Sequence, residues 1–575
     1  MGNKASDISC EFVIPISYGS TETIETGKWG FQRPYSEFKT APCRDACPAG
    51  INIPKFLYFV QNEKFDQALS TILRENPLPG VCGRACFHPC EGSCNRNQFD
   101  DPVSIHFLER FVSDAAANQV QFVEPLINEH PREVAVIGAG PAGLSCAYFL
   151  ALLGHRVTVF EAKKEPGGVL RWGIPEYRLP KKVLKRDLER IFSLPIELKT
   201  NVRIGKTIPF GELSRFDAIF LSPGAGISTP LSIKGESLKG VWKGGDFLER
   251  INSNEKINPG KAAIVIGGGN TAMDVARSAM RLGSKVTVAY RRTRNEMPAI
   301  EDEILEAEEE GVRFHYLIQP VKMEPTKKSR LAVTFQRMRL GPTDPDGRRK
   351  PIAVRGEFLT METDCLISAV GESVDLSWIP GRLIKDDLVH VRRSPKIFAG
   401  GDAVSQLRTI VTAIAAGKRS AISIDLHSRG EEDILLSELR IGNSDSLSME
   451  AYLAWRRANV HPEVKKILTA KQINTLYFES SRGVGIRKIK RSKRLKGFSE
   501  VNLGYNLKKA ISSAFRCFAC GMCNYCLNCY FYCPEGVISL DPNLDTRIVD
   551  YAHCKGCGTC VKACPRNALA MKDPL

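Results

Sequence analysis

The stretch Val136-Ile-Gly138-Ala-Gly140-Pro-Ala-Gly143 decides the fold of this chain. An apolar strand pattern precedes this GxGxxG motif, a helical pattern follows it, and Glu161 ends the next predicted strand. Gly138 permits the tight turn, Gly140 lets a pyrophosphate approach the backbone, and Gly143 allows the helix to pack closely. The helix N-terminus supplies amide donors to phosphate, and Glu161 accepts hydrogen bonds from a ribose. The motif therefore predicts a dinucleotide-binding α/β domain.

A second glycine loop, Val265-Ile-Gly267-Gly268-Gly269-Asn270-Thr271-Ala272, predicts a second dinucleotide site. At the position equivalent to Glu161 this site has Tyr290, followed at once by Arg291 and Arg292. A guanidinium matches a phosphate better than a ribose, so the pair favours the 2′-phosphate of NADPH, although NADH stays possible. The alternative is that both arginines are solvated charges at a strand end. The loop residues expected at the cofactor are Gly267, Gly269, Asn270 and Thr271.

Two dinucleotide sites in one chain imply a flavin in one and a nicotinamide in the other. Ile397-Phe-Ala-Gly-Gly401-Asp402-Ala403 has the form of a further flavin signature, in which Gly401 and Asp402 face the cofactor and Asp402 binds the ribityl chain. A helix that begins near Thr409 would direct its positive end at the flavin. No CxxC lies beside either glycine loop, which argues against a disulfide reductase. Hydride transfer is then mediated by FAD, with no catalytic side chain assigned.

The 19 cysteines are concentrated at the two ends of the chain, which indicates metal clusters rather than disulfides. Two C-terminal runs repeat the bacterial ferredoxin spacing, in which the fourth cysteine of each run ligates the other cluster. Structural zinc is a weaker alternative, because its sites rarely interlock two such runs. The first predicted [4Fe–4S] ligand set is Cys523, Cys526, Cys529 and Cys564, and the second is Cys554, Cys557, Cys560 and Cys533.

Two N-terminal stretches carry a family resemblance: Pro42-Cys43-Arg-Asp-Ala-Cys47-Pro48 and Val81-Cys82-Gly-Arg-Ala-Cys86-Phe-His-Pro-Cys90-Glu-Gly-Ser-Cys94-Asn95. With Gly167-Gly168-Val-Leu-Arg-Trp-Gly173-Ile-Pro175-Glu-Tyr-Arg178 and the run from Tyr290 to Pro298, residues 40 to 430 resemble the glutamate synthase small subunit and the N-terminal part of dihydropyrimidine dehydrogenase. The resemblance implies NADP(H), FAD and N-terminal [4Fe–4S] clusters. It also implies that Gly168 and Arg178 contact the cofactor.

In that family, one N-terminal cluster takes three cysteines and a Gln or Glu, which match Cys47, Cys86, Cys90 and Glu109. The other takes an upstream CxxC, absent here because Tyr35 and Phe38 stand at its positions, and two cysteines that match Cys43 and Cys94. Cys517 and Cys520 form a CxxC outside the ferredoxin frame and resemble the missing segment. Either they complete this cluster, or they are two thiols without a metal. Cys10, Cys82, Cys146 and Cys365 are expected to be ordinary residues.

At 575 residues and 63.7 kDa, the chain is too long for one core. The predicted fold is an α/β flavoprotein with two dinucleotide-binding domains, an N-terminal helical iron–sulfur domain and a C-terminal α+β bacterial-ferredoxin-like domain. Neither a membrane span nor a signal peptide is expected, and the cysteine pattern favours the cytoplasm. The predicted domains are 1–125 iron–sulfur, 126–244 with 376–430 FAD-binding, 245–375 NAD(P)H-binding, 431–511 basic linker and 512–575 ferredoxin-like.

The net charge of +16 is partly local, since Arg482 to Lys496 contains eight Lys or Arg and no acid. This run is interpreted as a solvated linker or as a docking surface for an acidic redox partner. The predicted function is an NAD(P)H:acceptor oxidoreductase that transfers electrons through FAD and [4Fe–4S] clusters to a partner carrying the substrate site. A partner of sulfite reductase, benzoyl-CoA reductase or 2-oxoacid oxidoreductase type is expected, and a homodimer is left open.

The sequence leaves two rival functions. One is a glutamate synthase small subunit, although that type lacks the C-terminal ferredoxin repeats. The other is a cluster-stabilised protein that binds nucleic acid through the basic run, which would show as steep salt dependence. The leading prediction includes no nucleic acid partner.

Overall fold

The computed structural model of the chain describes residues 25–116, 123–327, 330–344, 347–385, 388–389, 396–431, 434–460, 465–541 and 546–573. The chain forms two compact units. The smaller unit consists of Met1–Lys39, Lys471–Phe478 and Cys520–Leu575, and the larger unit of Thr40–Ala470 and Glu479–Ala519. Cys10 lies outside the described residues. No helix in the described ranges combines the length and the apolar character that a membrane crossing requires.

The described strands cover both units, and most belong to the larger one. They are β1 (Arg33–Ser36), β2 (Glu133–Ile137), β3 (Arg156–Phe160), β4 (Ile196–Lys199), β5 (Ala218–Leu221), β6 (Ile227–Ser228), β7 (Val241–Lys243), β8 (Ala262–Ile266), β9 (Lys285–Tyr290), β10 (Arg313–Tyr316), β11 (Ile318–Pro325), β12 (Leu331–Thr343), β13 (Arg349–Thr363), β14 (Cys365–Ser368), β15 (Glu372–Ser373), β16 (Ile384–Lys385), β17 (Leu388–Val389), β18 (Ile397–Ala399), β19 (Ile538–Asp541), β20 (Thr546–Val549) and β21 (Leu569–Lys572).

The described α-helices alternate with the strands only in the middle of the chain. They are α1 (Pro42–Ala46), α2 (Ile53–Gln61), α3 (Phe65–Leu73), α4 (Pro79–Ala85), α5 (Pro89–Gly92), α6 (Ile105–Ala115), α7 (Pro141–Leu152), α8 (Val169–Trp172), α9 (Lys181–Phe192), α10 (Gly244–Asn252), α11 (Asn270–Arg281), α12 (Glu301–Glu310), α13 (Ile410–Ser428), α14 (Ile434–Glu438), α15 (Met449–Ala458), α16 (Arg491–Arg494), α17 (Leu507–Phe515), α18 (Asn528–Phe531) and α19 (Thr559–Lys562).

The first dinucleotide-binding domain is built on a parallel sheet of strand order β18-β5-β2-β3-β4. Its central strands are apolar along their length because helices cover both faces of a parallel sheet. Helix α7 is buried on every side and packs against α13. A Cβ on Gly417 would lie 2.3 Å from the carbonyl oxygen of Ala142, so the absence of a side chain permits this close helix pairing.

The second dinucleotide-binding domain has a parallel sheet of order β10-β9-β8-β14-β7, beside an antiparallel sheet of order β11-β12-β13. One apolar core joins the two sheets and includes Ile264 and Leu366 from the parallel sheet and Val333 and Phe335 from β12. The chain leaves the first dinucleotide-binding domain to form the second one and then returns to the first. Only two chain crossings, near residues 224–244 and 369–375, therefore connect the two dinucleotide-binding domains directly.

Helices α1 to α6 precede the sheets, as the sequence predicts for an N-terminal helical domain. Their inward faces are apolar, with Phe56, Leu57 and Val60 of α2 no more than 1% exposed. The hydroxyl of Tyr148 in α7 donates to the carbonyl oxygen of Leu73 at 3.1 Å. These contacts attach the helical domain to the first dinucleotide-binding domain within the larger unit.

The smaller unit differs from the predicted division of the chain. Strand β21 pairs antiparallel with β1, so Arg33–Ser36 lies with the ferredoxin-like segment rather than with the N-terminal helices. A lone C-terminal strand leaves backbone donors and acceptors unpaired, and β1 satisfies them. Helices α18 and α19 and the hairpin of β19 and β20 complete the α+β arrangement that the sequence predicts.

Residues 431–511, predicted as a linker, are largely packed into the larger unit. Ser448 caps α15, and the Tyr452 hydroxyl of that helix donates to Asp425 at 2.5 Å. Asn95 donates from its Nδ2 to the carbonyl oxygen of Leu468 at 3.3 Å. The composition of the segment does not predict these buried contacts, because the segment is polar and basic overall.

Candidate functional site

The glycine loop between β2 and α7 leaves space for a ligand. Gly138 has φ 99°, and a Cβ there would lie 2.4 Å from the Ser222 carbonyl oxygen. A Cβ on Gly143 would lie 1.8 Å from the Gly138 carbonyl oxygen, whereas a Cβ on Gly140 would meet no atom within 4 Å. No side chain caps α7, so its first amides are available to a phosphate. The loop therefore fits the pyrophosphate of a dinucleotide.

The Glu161 side chain is hydrogen-bonded to the backbone of the same glycine loop. Its Oε2 accepts a hydrogen bond from the Ala139 amide at 2.8 Å, and its Oε1 accepts one from the Lys163 amide at 2.8 Å. The residue is 7% exposed. A carboxylate oxygen has a second lone pair, so these bonds are compatible with a ribose contact, which stays a prediction.

Three other residues predicted at the flavin approach the same helix end. A Cβ on Gly168 would lie 2.9 Å from the Gly140 Cα, and one on Gly401 would lie 2.9 Å from the Ala142 Cβ. Asp402 follows directly, and burial raises the pKa of its carboxyl. Helix α13 then starts behind a Thr409 cap. The structure thus brings Gly168, Gly401 and Asp402 to the N-terminal end of α7, although Gly401 and Asp402 lie more than 200 residues after that helix in the chain.

Arg178, also predicted at the cofactor, contacts α11 and α12. Its Nη1 lies 2.7 Å from Asp274 Oδ2 in α11, and its Nε lies 2.8 Å from Glu303 Oε1 in α12. These two carboxylates raise the pKa of its guanidinium, against the effect of burial. In this structure Arg178 is a contact between the two dinucleotide-binding domains, and its predicted cofactor role stays a prediction.

The second glycine loop is also open at its phosphate-facing position. Gly267 has φ 141°, and the only atom near a Cβ on Gly269 would be a Pro298 carbon at 4.0 Å. Helix α11 starts without a side-chain cap. Asn270 accepts a hydrogen bond from the Ile300 amide at 2.9 Å and so positions the start of α12. Thr271 is exposed.

The position of the Tyr290 ring explains why residue 268 of this loop is glycine. A Cβ on Gly268 would lie 2.5 Å from the Tyr290 ring, which occupies the position that an acid has in the first site. The hydroxyl of Tyr290 donates to the carbonyl oxygen of Glu296 at 2.7 Å. The ring therefore packs on the loop and offers no carboxylate to a ribose, which agrees with a site that binds NADPH.

The two arginines after Tyr290 have different surroundings. Arg291 is exposed at the end of β9. Arg292 is 3% exposed, and its Nε donates to the Arg349 carbonyl oxygen at 2.6 Å while its Nη2 lies 2.8 Å from Asp344 Oδ2. Arg292 thus attaches the β12–β13 hairpin, whereas Arg291 is exposed; the predicted phosphate contact stays a prediction, and Arg291 is the arginine that we test.

Replacing Arg291 with alanine is expected to raise the Kd of NADPH by about 10- to 100-fold, which corresponds to the free energy of one charge-assisted hydrogen bond. NADH binding should change little, because NADH has no 2′-phosphate. The Kd of each nucleotide, measured from flavin fluorescence or calorimetry, tests this. An unchanged ratio of the two Kd values would remove Arg291 from the phosphate site. Arg292→Ala serves as a contrast, since its expected effect is on protein stability.

In the smaller unit, the eight ferredoxin-type cysteines line two cavities. Cys523, Cys526, Cys529 and Cys564 line one of about 330 Å³, and Cys533, Cys554, Cys557 and Cys560 line another of about 330 Å³. Each cavity receives its fourth cysteine from the other run, as the spacing predicts. Four thiols around one space fit a [4Fe–4S] cluster.

The sequence did not indicate all the residues at these two cavities. Pro34 of β1 and Lys555 line the second cavity, and Arg547 lines the first. Tyr525 and Leu527 have φ of 56° and 64°, whereas the equivalent positions of the second run are Gly556 and Gly558. Aligning the two repeats would have identified these left-handed positions, because the second repeat has glycine at both.

The larger unit has a third cysteine-lined cavity, of about 400 Å³, among α2, α4, α5 and α6. The predicted set of Cys47, Cys86, Cys90 and Glu109 lines it, and so does Cys82. Cys82 was expected to be an ordinary residue, and its sequence neighbours gave no sign of this position. Cys146 and Cys365 lie in the apolar interior of α7 and β14, as expected.

Glu109 is the unusual donor in this cavity. Burial raises the pKa of its carboxyl to about 8, while Asn76 donates to its Oε1 at 2.8 Å. Burial also raises the pKa of the Cys47, Cys86 and Cys90 thiols. Because buried carboxylates and thiolates are costly unless they bind a cation, this donor set fits a metal cluster.

A neighbouring group of His88, Glu91 and His106 also has metal-binding side chains in proximity. The two imidazole rings are stacked, with centroids 4.2 Å apart and 12° between their planes. A metal lies in the plane of each imidazole that binds it, so two parallel stacked rings cannot share one ion. Glu91 instead accepts a hydrogen bond from the His106 amide at 2.9 Å.

The residue before Cys517 contacts the segment that follows Cys94. Helix α1, which contains Cys43, packs against α5, which precedes Cys94. Next to Cys517, Arg516 donates from its Nη2 to Asp101 at 2.6 Å, and Arg96 donates to the Arg516 carbonyl oxygen at 2.5 Å. Cys43, Cys94 and Cys517 thus belong to one unit, whereas Cys520 belongs to the smaller one. The four-cysteine set stays a prediction.

The Cys517→Ser variant is expected to lose about four irons per chain, because a thiolate cluster needs its four ligands. The two ferredoxin-type clusters should keep their electron paramagnetic resonance signals, since their cavities contain neither Cys517 nor its neighbours. Iron analysis beside those spectra measures the loss. An iron content equal to that of the unmodified protein would show that Cys517 binds no cluster.

Comparison with known proteins identifies families that match three parts of the chain. The profile of the pyridine nucleotide-disulphide oxidoreductase family matches residues 132–417. That of dihydropyrimidine dehydrogenase domain II, 4Fe-4S cluster, matches residues 35–121, and that of the 4Fe-4S dicluster domain matches residues 522–569. These matches confirm the predicted fold class and the predicted cofactors FAD, NADP(H) and [4Fe–4S] clusters.

Three curated proteins are similar over most of the chain. The beta subunit of the NADP(+)-dependent formate dehydrogenase of Moorella thermoacetica is 35% identical over 530 residues, which is 84% of this chain and 71% of that one. The beta subunit of the NADPH-Fe(3+) oxidoreductase of Geobacter sulfurreducens is 40% identical over 422 residues, 66% of this chain and 63% of that one. The small chain of the NADPH glutamate synthase of Escherichia coli is 33% identical over 445 residues, 72% of this chain and 93% of that one.

Proposed function

The chain belongs to the family of iron–sulfur flavoprotein NADPH oxidoreductase subunits that includes the glutamate synthase small chain, and from this premise we propose that it supplies electrons from NADPH to a partner redox enzyme. FAD held at the glycine loop of Gly138, Gly140 and Gly143 would supply hydride acceptance from NADPH and single-electron transfer to iron–sulfur clusters. The substrate site then lies on the partner protein. The protein's own residues bind and orient the cofactors.

One observation carries this proposal: a single chain combines two open dinucleotide loops with three cavities lined by cysteines. Val411 of α13 lines the cavity of Cys47, Cys86, Cys90 and Glu109. The same helix begins next to the flavin signature at Gly401 and Asp402. Helix α13 thus connects the predicted flavin site to the predicted cluster of Cys47, Cys86, Cys90 and Glu109, as electron transfer out of the flavin requires.

The partner is proposed by class only. The chain contains two ferredoxin-type cavities in addition to the residues that match the glutamate synthase small chain. This favours an electron-accepting enzyme of the sulfite reductase, benzoyl-CoA reductase or 2-oxoacid oxidoreductase type. The names of two relatives add formate dehydrogenase and Fe(3+) reduction as candidates.

The proposal is tested with the purified, cluster-loaded protein under anaerobic conditions. NADPH should bleach the flavin absorbance and then reduce a viologen dye, and NADH should do so less effectively. Proteins that co-elute from the native host are identified by mass spectrometry and assayed for reduction by NADPH through this chain. A loaded protein whose flavin is not reduced by NADPH would contradict the proposal.

A further inference from the structure

The basic run of the sequence forms an ordered strap, which we define as residues 487–503. Its two arms pair antiparallel: the Ile489 amide donates to the Val501 carbonyl oxygen at 3.0 Å, and the Leu503 amide donates to the Arg487 carbonyl oxygen at 2.8 Å. Helix α16 forms the turn between the arms. Neither predicted interpretation, a solvated linker or a docking surface, anticipated this pairing.

One end of the strap contacts α12 of the NADPH-binding domain through charges of opposite sign. Lys488 Nζ lies 2.9 Å from Glu306 Oε1, and Arg494 Nη1 lies 2.7 Å from Glu309 Oε2. The Arg494 side chain is 8% exposed and that of Glu309 is 50% exposed, so solvent screens this ion pair in part. Two of the eight cations in the basic run are therefore neutralised by the protein itself.

The returning arm contacts the other two domains of the larger unit. Glu500 Oε1 lies 2.8 Å from Arg84 Nε and 3.0 Å from Arg110 Nη2, both in the N-terminal helical domain. The Val501 amide donates to the Tyr177 carbonyl oxygen of the FAD-binding domain at 3.0 Å. One short segment thus contacts three domains.

Beneath the strap, the two dinucleotide-binding domains meet through polar groups rather than an apolar core. The Arg281 guanidinium lies 3.8 Å from the centre of the Tyr177 ring, and the Tyr177 hydroxyl donates to the Asp274 carbonyl oxygen at 3.2 Å. Arg178 pairs with Asp274 in the same junction. Polar junctions between domains that share only two chain crossings are typical of hinges.

We propose that the strap holds the NADPH-binding domain in its orientation to the FAD-binding domain, with Lys488, Arg494 and Glu500 as positioning residues for hydride transfer. This inference rests on the proposed function. Hydride transfer requires the two reacting rings at contact distance, so a small rotation of one domain slows it strongly. The strap is an attachment between the domains in addition to the two chain crossings and the polar junction, and it is contributed by sequence far outside both domains.

The test uses the full, cofactor-loaded protein and a charge reversal. Arg494→Glu places two carboxylates together, and Glu309→Arg in the same chain restores an opposite pair. Lys493→Glu is the matched control, because Lys493 is exposed on the same helix and makes the same charge change. Lys488→Gln removes the other contact to α12 without reversing a charge. Hydrogen exchange is followed at Ile489, Val501 and Leu503, and flavin reduction by stopped flow.

Arg494→Glu is expected to accelerate exchange at the three amides by about three- to tenfold, the effect of losing one partly buried ion pair. The limiting rate of flavin reduction should fall while the Kd of NADPH stays close to its original value. Lys488→Gln should change the exchange rates and the limiting rate of flavin reduction in the same directions. Lys493→Glu should change neither of them. Adding Glu309→Arg to Arg494→Glu should restore both.

Equal exchange in Arg494→Glu, Lys488→Gln and Lys493→Glu would show that the charges do not hold the strap and would overturn the proposal. Faster exchange with an unchanged limiting rate of flavin reduction would also overturn it, because the strap would then stabilise the fold without positioning the domains. Failure of the proposed function is distinct: NADPH would then reduce no flavin in the unmodified protein, whatever the exchange rates.

Discussion

Replacing Cys554 with alanine is expected to remove about four irons per chain and to abolish reduction of the protein partner. Cys554 lines the cavity of Cys533, Cys557 and Cys560, and a cluster that lacks one thiolate is not retained. Reduction of a small dye by NADPH should persist, because both dinucleotide loops belong to the larger unit and Cys554 to the smaller one. Iron content, dye reduction and partner reduction are measured on the same preparation.

Lys555→Ala is the control for this variant. Lys555 lines the same cavity but pairs through its amine with Glu535 at 2.9 Å and offers no thiolate. It should keep the full iron content. If Cys554→Ala loses dye reduction as completely as partner reduction, the ferredoxin-like segment supports the flavin domain instead of carrying electrons from it.

The Cys86→Ala variant is expected to lose the N-terminal cluster, again about four irons per chain. Cys82→Ala should keep it, although both cysteines line the same cavity. The family pattern assigns the fourth ligand to Glu109, whose carboxyl lines the same cavity; burial raises its pKa to about 8, and a bound cation would favour its ionised form. Iron analysis and electron paramagnetic resonance of the reduced proteins separate the two cysteines.

Glu109→Gln completes this comparison. An amide can still donate an oxygen to iron, and the family accepts Gln at this position, so the variant should retain the cluster with an altered spectrum. Loss of iron in Cys82→Ala equal to that in Cys86→Ala would instead assign the fourth ligand to Cys82.

The sequence predicted the parts of the sites that depend on near neighbours in the chain. Glycine at 138 and 267 has left-handed backbone angles, a requirement that is visible in the GxGxxG pattern itself. The spacing of Cys523, Cys526 and Cys529 likewise places three thiols on one short loop. The sequence also indicated the shared fourth cysteine, because the two ferredoxin runs repeat each other.

Only the tertiary structure decided which partner each side chain has at long range. The sequence presents Arg291 and Arg292 as equivalent, yet Arg292 pairs with Asp344 on a distant hairpin. Arg178 pairs with Asp274, β1 joins β21, and the basic run attaches to acidic α12. Local spacing fixes local geometry because few backbone angles intervene. Contacts across hundreds of residues depend instead on how whole domains pack, and charge or composition in one segment does not specify the segment that will oppose it.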